Sequence, residues 1–286
     1  MEEAPAIVYT KKANNMDMVK SKDGIKIHTL SKGSGQPLLF LNGLRSTLGC
    51  WKRQVNEFSS KYQCVCYDHR GVGKSDKPSK AYTSQQHMDD INAVINHYSM
   101  KSPVLIGHSM GALRSLQYAL ANQDHIKGLV LINSGAHINM SLKLMMRTTL
   151  KAIENNNKEL LDAMNEIGLA ITFGEKSLSE LEPRFDDFVD SSFAGVTLDS
   201  ARNLYAGMLQ EKIDVRESLH ELTIPTLVIA GDEDLQFPCK YAQEMSELIP
   251  HAEYKLLKGC GHFALSEMPN ELNEILSDFL NMVDEK

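Results

Sequence analysis

The chain has 286 residues, of which 42% are hydrophobic and 23% are charged. This composition is ordinary for a globular protein and excludes wholesale disorder. The formal net charge is -7, and neither sign gathers into long blocks, which argues against nucleic acid or an anionic membrane surface as a main partner. A small neutral or modestly charged molecule fits this pattern better.

The N-terminal residues Met1 to Asn15 contain no apolar run of signal-peptide length. Nowhere does the sequence reach the roughly 20 apolar residues that a membrane-spanning helix needs. The five cysteines show no metal-ligand spacing, so we expect reduced thiols. These observations predict a cytoplasmic protein without membrane insertion.

Short apolar runs predict the strands of a sheet. Residues Met18 to Leu30 alternate around the turn-forming pair Asp23-Gly24, which indicates an antiparallel hairpin. The later runs are apolar throughout, as expected for strands that are buried on both faces. They are Leu38–Leu41, Cys64–Tyr67, Val104–Ile106, Leu129–Ile132, Thr226–Ala230 and, more weakly, Tyr254–Leu257.

Apolar residues at three- and four-residue steps predict helices between most of these strands. Such stripes cover Met88–Tyr98, Leu113–Ala121, Tyr241–Ile249 and Leu272–Met282. Strands that alternate with helices imply right-handed crossovers. The predicted fold class is therefore α/β, with a mostly parallel central sheet and helices on both faces.

The alternation stops between about Ser134 and Leu222, where helical patterns follow one another without a convincing strand. The patterns are Leu142–Ile153, Leu160–Ile171, Leu181–Val189 and Ser200–Leu209. We therefore predict a core domain of residues 1–133 and 222–286, and a helical cap inserted at residues 134–221.

The motif Gly107-His108-Ser109-Met110-Gly111 follows a predicted strand and opens a predicted helix, as a nucleophile elbow does. Such a tight turn strains the backbone of the serine, and the two glycines leave room for neighbouring segments. Ser109 is the candidate nucleophile. Because the start of the helix aims N–H groups at the reacting carbonyl oxygen, the Met110 N–H is a candidate oxyanion donor.

A serine nucleophile needs a general base, and the base needs a carboxylate that orients it. Asp232 and Asp234 directly follow the strand Thr226–Ala230, at the sheet edge where sites of α/β proteins form. His262 lies between glycines in the loop after the last strand. The order Ser, Asp, His matches the elbow hydrolases.

Together these features resemble the α/β-hydrolase superfamily, and the resemblance extends from Met18 to Met282. Four motifs carry it, each in the order that the family shows. They are Leu41-Asn42-Gly43-Leu44, Tyr67-Asp68-His69-Arg70-Gly71-Val72-Gly73-Lys74-Ser75, the elbow around Ser109, and the Asp and His loops.

The resemblance implies several roles. The acid of the triad is expected to be Asp234, three residues after Gly231 and four before Pro238, with Asp232 as the alternative. The Leu44 N–H is expected to be the second oxyanion donor. No cofactor and no metal is expected.

The candidate substrate-binding residues are Asn42, Arg45, Met140 and Phe263. Asn42 and the downstream Trp51 look similar to the enol-lactonase branch. Arg45 or Arg114 would attract a substrate carboxylate, although solvation at the surface is the simpler interpretation. Cap methionines such as Met140 are more often packing residues, but some can line an adaptable apolar pocket.

Other polar residues near the motifs have simpler interpretations. His108, inside the elbow, is expected to point into packing. Asp68 and Arg70 are implied by the resemblance to be a hydrogen-bonded pair that shapes a loop. Cys260 is expected to be a small filler rather than a nucleophile.

The sequence thus predicts a serine hydrolase that cleaves a carboxylic ester or lactone of a small, mainly apolar molecule. Epoxide hydrolases and haloalkane dehalogenases of this fold need a carboxylate at the elbow, where this chain has Ser109. Hydrolysis of other acyl groups or of carbon–carbon bonds stays open. A slow-turnover ligand receptor that signals through its cap also stays open.

Overall fold

A computed structural model describes residues 15–184 and 195–285. Its strands form one sheet with the order β1-β2-β4-β3-β5-β6-β7-β8, in which β3 to β8 run parallel and β2 pairs antiparallel with β1 and β4. The strands are β1 Asn15–Lys20, β2 Lys26–Lys32, β3 Pro37–Leu41, β4 Gln63–Tyr67, β5 Val104–His108, β6 Gly128–Ile132, β7 Thr226–Gly231 and β8 Glu253–Leu257. The predicted fold class and the predicted N-terminal hairpin are confirmed.

Helices connect the strands and cover both faces of the sheet. They are α1 Lys52–Phe58, α2 Ser84–His97, α3 Met110–Asn122, α4 Met140–Glu154, α5 Lys158–Thr172, α6 Glu175–Leu181, α7 Leu198–Gln210, α8 Cys239–Leu248, α9 Ala264–Glu267 and α10 Pro269–Asp284. No helix within the described ranges is long and apolar enough to cross a membrane.

Alternate residues of each buried strand contribute to two different cores, because neighbouring side chains of a strand point to opposite faces. In β3, Leu39 and Leu41 pack with residues of α2, α3 and α8 on one face. Leu38 and Phe40 pack with α1 and α10 on the other. Since water is excluded from both faces, polar groups can gather only at the strand ends, and the carboxyl ends carry the candidate site.

The helices α4 to α7 lie between β6 and β7, where the helical insertion is predicted. Three of the predicted helical patterns correspond to α4, α5 and α7, whereas most of the fourth, Leu181–Val189, lies outside the described residues. Met146 of α4 and Tyr205 of α7 pack against Met110 and Leu113 of α3. The helices α4 to α7, called the cap helices below, therefore lie over α3, the helix that follows the elbow. The division into core and cap domains stays a prediction.

Candidate active site

Ser109 lies on the sharp turn between β5 and α3, with φ +54° and ψ −119°. A positive φ is strained for any residue other than glycine. A Cβ on Gly107 would overlap the backbone of Ala112, and a Cβ on Gly111 would overlap the carbonyl of Leu41. The predicted strain and the predicted need for glycines are therefore both present. They hold Ser109 in the wall of a cavity.

The His262 ring lies between Ser109 and Asp234 and is within hydrogen-bonding distance of both. His262 Nε2 is 2.9 Å from Ser109 Oγ, and His262 Nδ1 is 2.8 Å from Asp234 Oδ2. A carboxylate only accepts, so the proton sits on Nδ1 and Nε2 is free to accept from the serine hydroxyl. Asp232, the alternative acid, instead accepts the Gly259 N–H at 2.6 Å.

The Asp234 carboxylate is buried and held by several donors besides His262. The backbone N–H groups of Gln236 and Phe237 both donate to Oδ1 at 2.9 Å, and the Asn133 amide donates to Oδ2 at 3.1 Å. These donors, with His262, occupy both carboxylate oxygens at a place where water is excluded. Asp234 is thus fixed in the orientation that holds the His262 ring.

The loop after β3 lies directly against the elbow. A Cβ built on Gly43 would lie 3.3 Å from the Cβ of Ser109. Leu44 follows and lines the cavity, while Met110 is the first residue of α3. The two residues flank Ser109 from different segments, and their roles as backbone oxyanion donors stay predictions.

Asn42 does not line the cavity, and its prediction as a substrate-binding residue is wrong. Its side chain is fully buried. The amide donates to the carbonyls of Ser46 at 2.9 Å and Tyr67 at 3.0 Å, and accepts from Trp51 Nε1 at 3.1 Å. With every polar atom used, Asn42 fixes the base of the loop that contains Gly43.

His108 packs between the elbow and the loop that carries His262. Its Nε2 donates to the carbonyl of His262 at 2.7 Å, and its ring centroid lies 5.3 Å from that of Phe263. Burial, together with the nearby His262, lowers the pKa of His108 to about 3. His108 is therefore neutral and holds the two loops together, which agrees with its predicted packing role.

A cavity of about 920 Å³ reaches Ser109 and His262 from beneath the cap. Its wall is largely apolar on the cap side, as small-molecule sites usually are. Apolar wall residues from α4 and α5 are Leu142, Met145, Met146, Met164, Leu169 and Ile171.

Two of the other predicted substrate-binding residues, Arg45 and Phe263, lie in the cavity wall. Met140 does not, and its prediction is wrong: it begins α4 with its side chain turned to solvent, 68% exposed. Arg114, on α3, also lies outside the cavity wall. Its side chain is fully buried, and its Nη1 lies 3.7 Å from Glu211 Oε2. Its expected solvation at the surface is therefore wrong as well.

Asp68 and Arg70 do not form the pair that the resemblance implied. Asp68 Oδ2 lies 2.8 Å from His28 Nδ1. Arg70 is fully buried and makes ion pairs of 2.7 Å with Asp90 and 2.8 Å with Asp23. Each residue therefore ties the glycine-rich turn to a different part of the core.

The described ranges contain no group of three or more His, Cys, Asp or Glu side chains that could hold a metal ion.

A family model of the alpha/beta hydrolase fold matches residues 36–269. That range contains the elbow, the acid loop and the histidine loop. The chain belongs to the α/β-hydrolase fold family.

Among curated α/β hydrolases and related proteins, the chain is 25% identical to cis-3-alkyl-4-alkyloxetan-2-one decarboxylase of Shewanella oneidensis, over 91% of this chain and 86% of that protein. It is 27% identical to 3-oxoadipate enol-lactonase 2 of Acinetobacter baylyi, over 86% and 88%. The solved structure of Est816, an N-acyl homoserine lactone degrading enzyme, is 27% identical with a TM-score of 0.78, covering 92% of this chain and 100% of that one.

No sequence pattern predicted the contacts that join the inserted helices of this α/β hydrolase to the histidine loop. The His262 N–H donates to the carbonyl of Thr172, the last residue of α5, at 2.5 Å. The Glu267 carboxylate accepts the N–H groups of Gly174 at 2.8 Å and Phe263 at 2.9 Å. The one sequence signal for these contacts is an acidic residue, Glu267, in the short helix that follows the histidine.

Asn133 and Ser134, which follow β6, were also missed. Besides Asp234, Asn133 donates to the carbonyl of Gly261 at 3.1 Å, and the Ser134 hydroxyl donates to the carbonyl of Ser109 at 3.0 Å. The sequence did contain a signal for them. Two polar residues that directly follow a fully buried parallel strand must lie at the carboxyl edge of the sheet, where the candidate site forms.

Proposed function

We propose that the chain is a serine hydrolase that cleaves a carboxylic ester or lactone of a small, mainly apolar molecule. The observation that carries the proposal is the chain of hydrogen bonds from Ser109 Oγ through His262 to Asp234 at the wall of the cavity. Relatives that act on lactones support it, since an enol-lactonase and a homoserine lactone degrading enzyme are both similar to this chain.

In the proposed reaction, Ser109 Oγ attacks the carbonyl carbon while His262 Nε2 takes the hydroxyl proton. The negative charge on the carbonyl oxygen is stabilised by the backbone N–H groups of Leu44 and Met110. Collapse of this intermediate breaks the bond to the leaving oxygen, which receives the proton from His262. Asp234 stabilises the imidazolium form of His262 throughout.

Water then repeats the sequence on the acyl-enzyme. His262 accepts one water proton, the hydroxide oxygen attacks the acyl carbon, and the proton returns to Ser109 as the carboxylic acid leaves. For a lactone, the alcohol released in the first half stays attached to the acyl group. The largely apolar cap-side wall supports a substrate whose body is mainly hydrocarbon.

The test is turnover of p-nitrophenyl butyrate and of a short-chain lactone by the wild type and by Ser109→Ala. We expect the variant to lose at least about 1000-fold in kcat with an unchanged melting temperature. Ser115→Ala is the matched control, because Ser115 is a buried serine of α3, the helix that follows the elbow, and lies outside the cavity wall.

A fluorophosphonate probe supplies a second measurement, since it should label the wild type at Ser109 and leave Ser109→Ala unlabelled. Equal turnover by Ser109→Ala would overturn the proposal. A single burst of product without further turnover would favour the ligand-receptor alternative instead.

A further inference from the structure

Asn165 is a polar residue in the cap-side wall of the cavity. It lies on α5, lines the cavity and is 8% exposed. Within the described ranges its carboxamide makes no hydrogen bond, and its polar atoms are open to the cavity rather than sealed in the core. A primary amide can donate twice and accept twice. At Asn165 this capacity is available to a molecule that occupies the cavity.

The other buried asparagines of the described chain behave differently. Asn42 and Asn133 are bonded in the core, as shown above. In the cap region, Asn139 donates to the carbonyl of Gln236 at 2.8 Å, and Asn203 donates to the carbonyl of Pro78 at 3.0 Å. Each of these four asparagines therefore makes at least one hydrogen bond within the protein, and Asn165 is the exception among the buried asparagines that the structure describes.

The surroundings of Asn165 indicate what kind of group it would bind. The cavity-lining residues of α4 and α5 carry no charge, and apart from Asn165 their polar side chains are the threonines Thr149 and Thr172. The Thr149 hydroxyl already donates to the carbonyl of Met145 at 3.1 Å. A substrate carboxylate would need a cation on this wall. A neutral oxygen that accepts from the amide, as in a ketone, hydroxyl or ether, matches it instead.

We infer that Asn165 determines specificity by binding a neutral oxygen substituent on the substrate, so that the preferred ester or lactone carries a second oxygen function away from the scissile carbonyl. This inference rests on the proposed function, because it concerns the substrate of the same site. The rest of the substrate packs against methionines such as Met145 and Met164, which adapt to chains of different shape.

The test compares esters that differ only by one oxygen. On the acyl side, p-nitrophenyl hexanoate is compared with the 4-oxo and 5-oxo hexanoates. On the alcohol side, hexyl acetate is compared with 5-oxohexyl acetate. For the wild type we expect kcat/KM of at least one oxo ester to exceed that of its alkyl partner by about 3- to 10-fold.

The variant Asn165→Leu keeps the approximate shape of the side chain but removes the amide. We expect it to lose the preference for the oxo ester, so that the ratio of kcat/KM for the oxo ester to that for its alkyl partner falls to about 1. Asn155→Leu is the matched control, because Asn155 is exposed at the end of α4 and bonds the carbonyl of Lys151, outside the cavity wall. It should keep the preference of the wild type.

Replacing a buried amide by an apolar group should not lower the melting temperature, and Asn165→Ala serves if the leucine variant does not fold. The inference is wrong if no oxo ester is preferred in either series, or if the preference persists in Asn165→Leu. The proposed function survives that result as long as the alkyl esters are hydrolysed in a Ser109-dependent way. If the wild type turns over neither kind of ester, the proposed function itself fails.

Discussion

Two aspartates follow β7 within three residues, and their neighbours give them different tasks. Asp234 orients His262 and is itself held by Asn133 and two backbone N–H groups. Asp232 caps the loop before the histidine by accepting the Gly259 N–H. In the proposed mechanism Asp234 therefore serves the reaction, whereas Asp232 supports the structure of the loop before the histidine.

A pair of matched substitutions separates the two roles. Asp234→Asn should lower kcat for p-nitrophenyl butyrate by about 10³- to 10⁴-fold, because an amide in this place favours the wrong tautomer of His262. Asp232→Asn keeps an oxygen that can accept from Gly259 and should stay within about 3-fold of the wild type. Steady-state kinetics on both variants measures this. A larger loss in Asp232→Asn than in Asp234→Asn would reverse the assignment.

The residues of the site divide into those that local sequence could predict and those that it could not. Ser109 was predictable because a strand, a tight turn and a helix must follow one another within a few residues. The direction of the Asn42 side chain was not, because it depends on Trp51 and on the strand that carries Tyr67. Arg114 was misjudged for the same reason, since its burial depends on segments that lie far away in sequence.

At the level of elements, the C-terminal end of α5 and the short helix α9 meet at the histidine loop. Thr172 accepts the backbone N–H of His262, and the Glu267 carboxylate accepts from Gly174 on one side and from Gly261 and Phe263 on the other. One carboxylate thus joins the cap to the segment that carries the candidate base. Movement of this part of the cap would shift His262.

Removing that carboxylate tests the connection. Glu267→Ala leaves three backbone N–H groups without their acceptor, so we expect the free energy of unfolding to fall by about 2 to 4 kcal/mol. Because the His262 loop loses its support, kcat should fall by about 10- to 100-fold. Urea denaturation and steady-state kinetics measure the two effects.

Glu267→Gln keeps one accepting oxygen and should restore part of both losses. Glu274→Ala is the control, since Glu274 is an exposed glutamate of α10. If Glu267→Ala lowered stability but left kcat unchanged, Glu267 would support the loop without positioning the histidine.

The order of strands and long helices along the chain was predictable from the sequence. A strand buried on both faces is a continuous run of apolar residues, and a helix buried on one face has apolar residues at three- and four-residue steps. Short helices were not predictable. Lys52–Phe58 and Glu175–Leu181 contain few turns, so their apolar residues form no recognisable stripe, and they are stabilised by what they pack on. The contacts between the end of α5 and the histidine loop were not predictable, because backbone groups and one glutamate side chain make them and neither leaves a repeating pattern in the sequence.

At the scale of the whole molecule, three buried histidines of the described ranges, His69, His87 and His108, have no carboxylate within hydrogen-bonding distance of the ring. Burial lowers the pKa of His69 to about 4 and that of His108 to about 3, and it lowers the pKa of His87 well below its usual value. The charge of Arg114 adds to the effect at His69 and His87. All three rings are therefore neutral in the folded protein at neutral pH.

This arrangement makes stability depend on pH below about 6.5, the ordinary pKa of histidine. As pH falls through that value the unfolded chain takes up protons that the folded chain cannot, so the free energy of unfolding decreases. Between pH 7 and pH 5.5 we expect a loss of roughly 1 kcal/mol for each of the three histidines. Urea denaturation at the two pH values measures it.

His87→Phe retains an aromatic ring against His69, which contacts His87 edge-on with ring centroids 5.6 Å apart. It should reduce the loss of stability between pH 7 and pH 5.5 by about one third, because one of the three buried titrating groups is gone. The control is His251→Asn, since His251 is exposed and asparagine tolerates its φ of +60°. That variant should lose as much stability as the wild type. A wild-type protein that is equally stable at both pH values would show that the three histidines accept protons without unfolding.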